Sequence, residues 1–275
     1  MRKRSNNSLF LVHAALLGGG FIMAFPFLYQ LLMSVSTDAQ ISSVPPTLIP
    51  DSIHIENYAN VFKEIPFGNQ FVTSVLITVI RTITQLVLCS MAGYAFARMN
   101  FRGRNFLFAL LLIILMVPGQ IYLIPQYQII QNLGLLDTVA GIVMPGLFSA
   151  FGTFLMKQAF EALPKELEES ARVDGAGHLR IYWKIMLPLV RPSLFAVGIT
   201  TVLWSWNELL WPLVVTSRPE SMPLSVGIAT LSGYRVSEYA LMMAASTLAM
   251  LPIFALFFSM QKHVIEGLAY TGIKG

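Results

Sequence analysis

Four polar or aromatic side chains near the end of one apolar run could bind a hydroxyl-rich solute. Trp204, Asn207, Glu208 and Trp211 fall at i, i+3, i+4 and i+7, so a continuous helix would place them on one face. The flat C–H surface of a sugar packs on aromatic rings, and its hydroxyl groups bond to amides and carboxylates. The spacing predicts a face that lines a solute path, although Trp211 also fits an aromatic belt at a membrane surface.

A single basic residue lies in the middle of another apolar run. Arg81 stands ten residues into that run, where a charge is expensive in lipid and rarely faces it. Glu208 is the one acidic residue in any of the apolar runs. We therefore predict that Arg81 and Glu208 approach each other along the solute path. A buried contact of Arg81 with backbone carbonyls is the alternative.

The residue types that catalysis or metal binding would need are scarce. The chain has one cysteine and four histidines, and the histidines are isolated from one another. It contains no Gly-Lys dipeptide, hence no phosphate-binding loop of the form G-x-x-x-x-G-K, and no H-E-x-x-H zinc helix. The sequence predicts a non-catalytic chain that binds no metal and no cofactor of its own.

The composition indicates where these side chains are held. The 275 residues are 55% hydrophobic and only 12% charged, with a mean hydropathy of +0.66 and a pI ≈ 9.2, whereas a soluble domain carries about 25% charged residues. This excludes a disordered chain, a coiled coil and an ordinary soluble enzyme. It also argues against nucleic-acid binding, which the basic pI alone would suggest.

Six apolar runs are long enough to cross a bilayer, which needs roughly 20 residues of helix. The first is about twice the roughly 7–15 apolar residues of a signal peptide, so we expect it to be retained as a span. We predict an all-α membrane protein with six transmembrane helices at about 9–35, 71–97, 106–130, 138–156, 193–215 and 240–260.

The basic residues predict an orientation. With the N-terminus inside, the inner segments hold 14 of the 18 Lys and Arg residues. Basic residues concentrate on the cytoplasmic side of membrane proteins. Both chain ends are therefore predicted to be cytoplasmic, and the basic pI reflects topology.

The cytoplasmic segment 157–191 is long, charged and patterned, with six basic and five acidic residues. Pro164 and the glutamates after it favour a helix start, and Gly175 and Gly177 favour a turn. A second short helix is predicted over 179–186, ended by Leu187-Pro188. An amphipathic hairpin lying on the inner membrane surface is one interpretation.

The hairpin sequence favours a more specific interpretation. Residues 169–176 read E-S-A-R-V-D-G-A and are followed by Ile181, Ile185 and Leu187-Pro188. This pattern resembles the EAA loop of ABC-importer permeases, with Ser170 in place of the middle alanine. The resemblance implies a coupling helix that docks on an ATPase subunit, and its coupling residues would be Glu169, Ser170, Ala171, Asp174, Gly175 and Ala176.

Two further segments resemble the carbohydrate-uptake, maltose-importer-like branch of that family. Residues 206–213 read W-N-E-L-L-W-P-L, and residues 267–275 read G-L-A-Y-T-G-I-K-G, with Tyr270 and Thr271 departing from the branch pattern. The resemblance implies one transmembrane permease domain over 1–275 with the type I ABC-importer permease fold, in a prokaryotic cell membrane.

The same resemblance implies partners and a substrate. The partners would be a second permease subunit in a heterodimer, two ATPase subunits that bind ATP and Mg²⁺, and an extracytoplasmic solute-binding protein. The substrate would be a sugar or oligosaccharide, and related members also take glycerol phosphates. The alternative is an ion-coupled secondary transporter, but the sequence shows neither an internal repeat nor an intramembrane cluster of acids.

Overall fold

The computed structural model describes residues 6–45, 47–232 and 238–272, and it describes side chains for 12–45, 47–232 and 238–259. Arg2, Lys3, Arg4 and Arg235, which entered the orientation argument, lie outside these ranges. The side chains of the tail motif at 267–275 also lie outside them. The described residues are helical with connecting turns, and no strand occurs among them.

Fifteen α-helices can be followed in the described chain, joined by short 3₁₀ turns and one π turn. They are α1 (Asn6–Met33), α2 (Asp38–Ile41), α3 (Glu56–Glu64), α4 (Phe67–Arg98), α5 (Arg104–Met116), α6 (Leu123–Asn132), α7 (Val139–Val143), α8 (Ala150–Glu161), α9 (Glu166–Val173), α10 (His178–Ile181), α11 (Leu187–Leu189), α12 (Arg191–Asn207), α13 (Leu210–Val215), α14 (Leu224–Thr230) and α15 (Tyr239–Gly272).

Three stretches of helix are each apolar and long enough to cross a membrane, namely Val12–Met33, all of α4, and Tyr239–Ser259. Three bent pairs qualify only when each pair is taken as one span. The bends measure 97° between Arg104–Met116 and Gly119–Asn132, 43° between Val139–Gly146 and Ala150–Glu161, and 79° between His178–Leu189 and Arg191–Asn207.

Prolines lie at two of these bends, and another proline follows the break between α12 and α13. Val117 precedes Pro118 and is extended, with ψ 121°, as expected for a residue whose helical conformation clashes with the following proline ring. Pro145 lies in a 3₁₀ turn after α7. Pro212 lacks the N–H that would bond to the carbonyl of Glu208, four residues earlier, and α12 ends just before Glu208.

The predicted stop at Leu187-Pro188 is wrong. The helix that begins at His178 continues through a π turn at Tyr182–Met186 and on to Leu189. The wider π turn accommodates the bond that Pro188 cannot donate to Lys184. The helix ends two residues later, where Val190 adopts φ −99° and ψ 17°.

The described residues group into two compact units, and the first contains residues 1–67 and 227–251. In this unit the Asn57 side-chain amide donates to the carbonyls of Ser34 and Ser36 at 3.0 and 2.9 Å. The Asp38 carboxylate accepts a hydrogen bond from the N–H of Ala240 at 2.9 Å. These bonds fasten the segment after α1 to α3 and to the start of α15.

The second unit contains residues 68–226 and 252–275. Helix α4 contributes to two buried apolar clusters of this unit: Tyr94 packs in one with Phe160 and Tyr182, and Ile77 packs in the other with Ile142 and Trp211. Close packing of α4 on α8 occurs at Gly93, where a Cβ atom would lie 2.6 Å from Cβ of Met156 and 2.9 Å from N of Lys157.

A polar clamp joins the turn before α7 to the segment after α13. Asp137 has a positive φ of 57°, and its Oδ1 accepts hydrogen bonds from the N–H groups of Ser217 and Arg218 at 2.6 and 2.9 Å. The hydrogen bond from Arg218 N–H is the main cause that lowers the pKa of the Asp137 carboxyl below its usual value.

We expect Gly93→Ala to lower the melting temperature of the purified chain, because the added methyl group collides with the backbone of α8. Overpacking of this kind costs about 1–3 kcal/mol. Gly198→Ala is the matched control, since a Cβ atom at Gly198 would lie in ordinary contact, 3.6 Å from Leu86. Equal melting temperatures for the two variants would contradict the close packing at Gly93.

Candidate functional site

The hairpin predicted within residues 157–191 has its tip at α9, residues 174–177 and α10. Gly175 adopts φ +78°, a left-handed conformation that favours glycine. Its surroundings would tolerate a larger residue, because a Cβ atom there would meet nothing within 4 Å. The N–H groups of Gly175 and Ala176 bond back to the carbonyls of Arg172 and Ala171 at 3.0 and 2.9 Å. This closes the C-terminus of α9 in the way that a glycine cap does.

The six residues predicted for coupling divide into two groups. Glu169, Ser170, Asp174 and Gly175 are exposed. Ala171 is buried in the apolar cluster of the chain's own helices, and Ala176 is half-buried against it. Ala171, although one of the coupling residues that the resemblance implies, therefore packs its methyl group inward and not toward a partner.

Two exposed apolar side chains on the hairpin are not recognisable from the motif. Val173 is 88% exposed and Leu179 is 68% exposed. They lie on either side of the Asp174–Gly177 turn. Together with the exposed charged residues beside them, among them Glu169, Arg172 and Asp174, they give the hairpin tip a surface that is partly apolar and partly charged.

The base of the hairpin packs against α4 and α8. Ala171, Ile181, Tyr182 and Met186 are buried in one cluster with Tyr94 and Phe160. The Tyr182 hydroxyl bonds to Ser90 Oγ of α4 at 2.7 Å, and the ring of Tyr94 lies 5.5 Å from that of Phe160. The hairpin is therefore fixed to α4 and α8 by packing and not only by its chain connections.

The predicted ion pair near the middle of α4 is confirmed. Arg81 is 5% exposed, its Nη1 donates to Oε2 of Glu208, and its Nη2 donates to the carbonyl of Ile142. Both contacts that the sequence proposed for Arg81, an ion pair and a backbone carbonyl, are thus present. Gly146 makes room for the guanidinium, because a Cβ atom there would lie 2.5 Å from Nε.

A second polar contact lies one helical turn further along α4 and was missed in the sequence. The Gln85 side-chain amide donates to the carbonyl of Gly146 at 2.7 Å, and Gln85 Oε1 accepts a bond from Thr201 Oγ1 at 2.8 Å. The available signal is the i, i+4 spacing of Gln85 from Arg81 inside an apolar run. Cys89, another turn along, donates its thiol to the carbonyl of Ser149 at 3.4 Å.

The predicted common face of Trp204, Asn207, Glu208 and Trp211 is wrong. Because α12 ends at Asn207 and Glu208 is extended with ψ 121°, Trp211 belongs to a different helix. The freed carbonyl of Glu208 accepts the Ser225 hydroxyl at 2.6 Å. Residues 193–215 therefore do not form the one continuous helix predicted for them, and Pro212 lies just after the break.

The two tryptophans of that set have opposite surroundings. Trp204 is 80% exposed, whereas Trp211 is 4% exposed and its Nε1 lies within hydrogen-bonding distance of the carbonyls of Gly141 and Ile142, at 3.3 and 3.2 Å. Asn207 is exposed and donates to the carbonyl of Leu203 at 2.8 Å. Trp211 thus supports the broken backbone, and Trp204, Asn207 and the partly exposed Glu208 are the members that a solute could reach.

Within the described ranges, no three His, Cys, Asp or Glu side chains come close enough to hold a metal ion. The acidic groups of the hairpin are distributed over its surface and its base. The arrangement can support a docking surface at the C-terminal end of α4 and a polar, partly open break in the helices near its middle.

Comparison with known proteins identifies one family. A model described as "Binding-protein-dependent transport system inner membrane component" matches residues 85–270. The arabinooligosaccharides transport system permease protein AraQ of Halalkalibacterium halodurans is 38% identical over 258 residues, covering 93% of this chain and 92% of that protein. The sn-glycerol-3-phosphate transport system permease protein UgpE of Yersinia enterocolitica is 32% identical, covering 93% and 94%.

Solved structures agree with these relatives. A chain of a bacterial ABC transporter involved in import of the acidic polysaccharide alginate superposes with a TM-score of 0.79 at 26% identity, covering 95% of this chain and 98% of that one. A chain of the MetNI methionine ABC transporter shares the fold, with a TM-score of 0.57 at 17% identity over 76% of this chain and 98% of that one.

We expect Arg81→Met to destabilise the chain by about 3 kcal/mol, because loss of one partner of a buried ion pair leaves the other without compensation. Adding Glu208→Met should cost less than the sum of the two single changes, by at least about 1 kcal/mol. Thermal unfolding of the purified variants measures this difference. Lys157 and Glu161, an i, i+4 pair at 2.6 Å with a partly exposed glutamate, provide a control cycle with an expected coupling of about 0.3–0.5 kcal/mol.

Proposed function

Because this chain belongs to the family of inner-membrane components of binding-protein-dependent transport systems, we propose that it forms half of the translocation pathway of an ATP-driven importer. It is the membrane permease component, and the ATPase resides in separate subunits. The solute proposed for it is a sugar, an oligosaccharide or a related polyol phosphate.

The observation that carries the proposal is the hairpin. Its tip exposes Glu169, Asp174, Val173 and Leu179, whereas its base is buried against α4 and α8. A partner that binds the tip can therefore move the membrane helices, because a packed interior transmits displacement instead of absorbing it. Glu169, Ser170, Asp174 and Gly175 are proposed as the ATPase contacts, with Ala171 and Ala176 holding the hairpin in place.

A topology of six spans with both ends cytoplasmic is part of the proposal. The three continuous helices and the three bent pairs together supply six segments of sufficient length and hydropathy. The positive-inside rule supports this orientation, because the predicted inner segments, which include the hairpin, hold 14 of the 18 basic residues of the sequence.

The class of solute is proposed from the relatives and from the exposed residues at the helix break. The relatives are named for arabinooligosaccharides and sn-glycerol-3-phosphate, and the structural neighbour for alginate. These solutes share a high density of hydroxyl groups. Trp204, Asn207 and Glu208 offer an aromatic face, an amide and a carboxylate, which suit such a solute, and Arg81 and Trp211 hold the backbone around them.

The proposed assembly contains a second permease subunit as a heterodimer partner, two ATPase subunits that bind ATP and Mg²⁺, and an extracytoplasmic solute-binding protein. An ion-coupled secondary transporter would need a titratable group free to change its protonation. Glu208, the one acidic residue in the predicted spans, is already paired with Arg81, which disfavours that alternative.

The test is uptake into proteoliposomes that contain the whole complex. Accumulation of the cognate solute should require the ATPase subunits, ATP and Mg²⁺, and the solute-binding protein. It should persist when ionophores abolish ion gradients. Uptake that follows an imposed ion gradient without ATP would refute the proposed function.

We expect Gly175→Val to reduce co-purification of the ATPase subunits about tenfold, because a left-handed conformation costs an L-residue about 1–2 kcal/mol and each 1.4 kcal/mol is a factor of ten. Gly177→Val is the matched control. Gly177 has equally open surroundings but an ordinary φ of −75° and ψ of 163°. The proposal predicts full co-purification for this control and membrane insertion of both variants.

A further inference from the structure

The last residue of α4 is buried beneath the hairpin. The side chain of Arg98 is 5% exposed. Its Nε and Nη2 donate to the carbonyl of Phe160 at 3.0 and 2.5 Å, and Nη2 also donates to the carbonyl of Leu163. Phe160 is in the last turn of α8, where backbone carbonyls lack helical partners and a cation is favourable. Arg98 thus fastens the end of α4 to the end of α8.

Arg98 also faces the hairpin through a buried glutamate. Glu168 lies in the first turn of α9, and its side chain is 8% exposed. Its Oε1 lies 3.9 Å from Nε of Arg98, and its Oε2 lies 3.7 Å from Nη2 of Arg172. The motif indicates the adjacent Glu169 for coupling, which is exposed, whereas the i, i+4 spacing of Glu168 and Arg172 predicts only their mutual pairing.

Arg98 and Glu168 attract each other as charges but do not form a hydrogen bond. At 3.9 Å the contact is too long for a hydrogen bond. Glu168 Oε1 is buried and has no hydrogen-bond partner among the described residues, and the same holds for the hydroxyl of Tyr94, one turn before Arg98. The Tyr94 hydroxyl lies near the Glu168 carboxylate without ordinary hydrogen-bonding geometry, and the charges of Arg172 and Arg98 are also close to it.

A buried carboxylate with an unfilled acceptor weakens a fold that apolar side chains could stabilise at least as well. The presence of a buried glutamate at this position is explained if its contact with Arg98 has a role besides stabilising the fold. A small shift of α9 toward α4 would give Glu168 a donor, either from Arg98 or from Tyr94, and a shift away would remove the ion pair. The energy of the cluster therefore depends on the position of the hairpin.

We propose that Arg98 and Glu168 are positioning residues, and that they form the joint through which a displacement of the hairpin reaches α4 and the C-terminal turn of α8. The inference rests on the proposed function, because it assigns the route by which ATPase movement enters the membrane helices. The joint acts alongside the apolar cluster around Ala171 and Tyr182, which holds the hairpin but is not directional.

The route continues along α4. Arg98 and Arg81 are 17 residues apart on one continuous helix, which is about 25 Å at the α-helical rise. Between them, Gly93 packs on Met156 and Gln85 bonds to the carbonyl of Gly146. A displacement applied at Arg98 therefore reaches the helix break at Glu208 through Arg81.

The experiment uses the full importer complex in proteoliposomes, with Glu168→Gln and the double variant Arg98→Met/Glu168→Met. Two quantities are measured: the ATP hydrolysed per solute molecule imported, and the amount of ATPase that co-purifies with the permease. We expect the first to rise at least fivefold in both variants, whereas the second stays within twofold of the unaltered complex.

The controls separate the joint from general damage. Glu166→Gln removes an exposed charge from the same turn of α9 and should leave both quantities unchanged. Arg98→Met alone leaves Glu168 buried without its partner and is expected to fold poorly, so the double variant, in which neither charge remains, is the decisive one. Arg98→Lys keeps the charge but not the fork of donors and should recover coupling only in part.

Each outcome decides the proposal. An unchanged ratio of ATP to solute in the double variant would show that apolar packing alone transmits the displacement, and it would overturn the proposal. Loss of ATPase co-purification in Glu168→Gln would make Glu168 part of the docking surface and would also overturn it. The proposed function is judged on the unaltered complex alone, through the ATP dependence of its uptake.

Discussion

The structure depends on one constraint: a backbone broken at membrane depth must find hydrogen-bond partners within the protein, because lipid supplies none. The segment from Val139 to Glu161 is broken between its two helices. Its carbonyls at Ile142, Gly146 and Ser149 are satisfied by side chains of α4. These donors are spaced four residues apart at Arg81, Gln85 and Cys89, so a single face of α4 supports the whole irregular segment.

The same solution recurs where the next segment breaks. Loss of the helical bond at Pro212 frees the carbonyl of Glu208, and the hydroxyl of Ser225 fills it. The Glu208 side chain is then free to turn back to Arg81. The irregular backbone and the intramembrane charges are therefore one arrangement: the break brings the acid to the base, and the ion pair holds the break in position.

Much of this could be predicted from the sequence, for physical reasons. Apolar length marks the helical segments, and the scarcity of intramembrane charge leaves Arg81 and Glu208 as each other's only opposite charges. The hairpin motif identifies the family. Glu168 could not be distinguished from Glu169 by residue type, because burial within a short amphipathic helix depends on the approach of α4 and α8.

The helix breaks were harder to predict, because a proline has different effects in different surroundings. α12 ends at Asn207, five residues before Pro212, whereas Pro188 lies within a helix directly after a π turn. The sequence does not distinguish these cases, since the outcome depends on whether a neighbour can satisfy the freed carbonyl, as the Ser225 hydroxyl does for Glu208. The common face predicted for Trp204 and Trp211 was wrong for this reason.

The length of α4 has a mechanical consequence. It is 32 residues long with no internal proline, and it is fastened at one end by Arg98 and near its middle by Arg81. Such a helix can transmit a rotation at its Arg98 end to Arg81, which contacts the helix break at Glu208. A tilt of about 5° over the roughly 25 Å between the two arginines shifts one end by about 2 Å, which is enough to separate a hydrogen-bonded pair. A rotation too small to disturb the packing of the hairpin could thus open or close the polar break where a solute would pass.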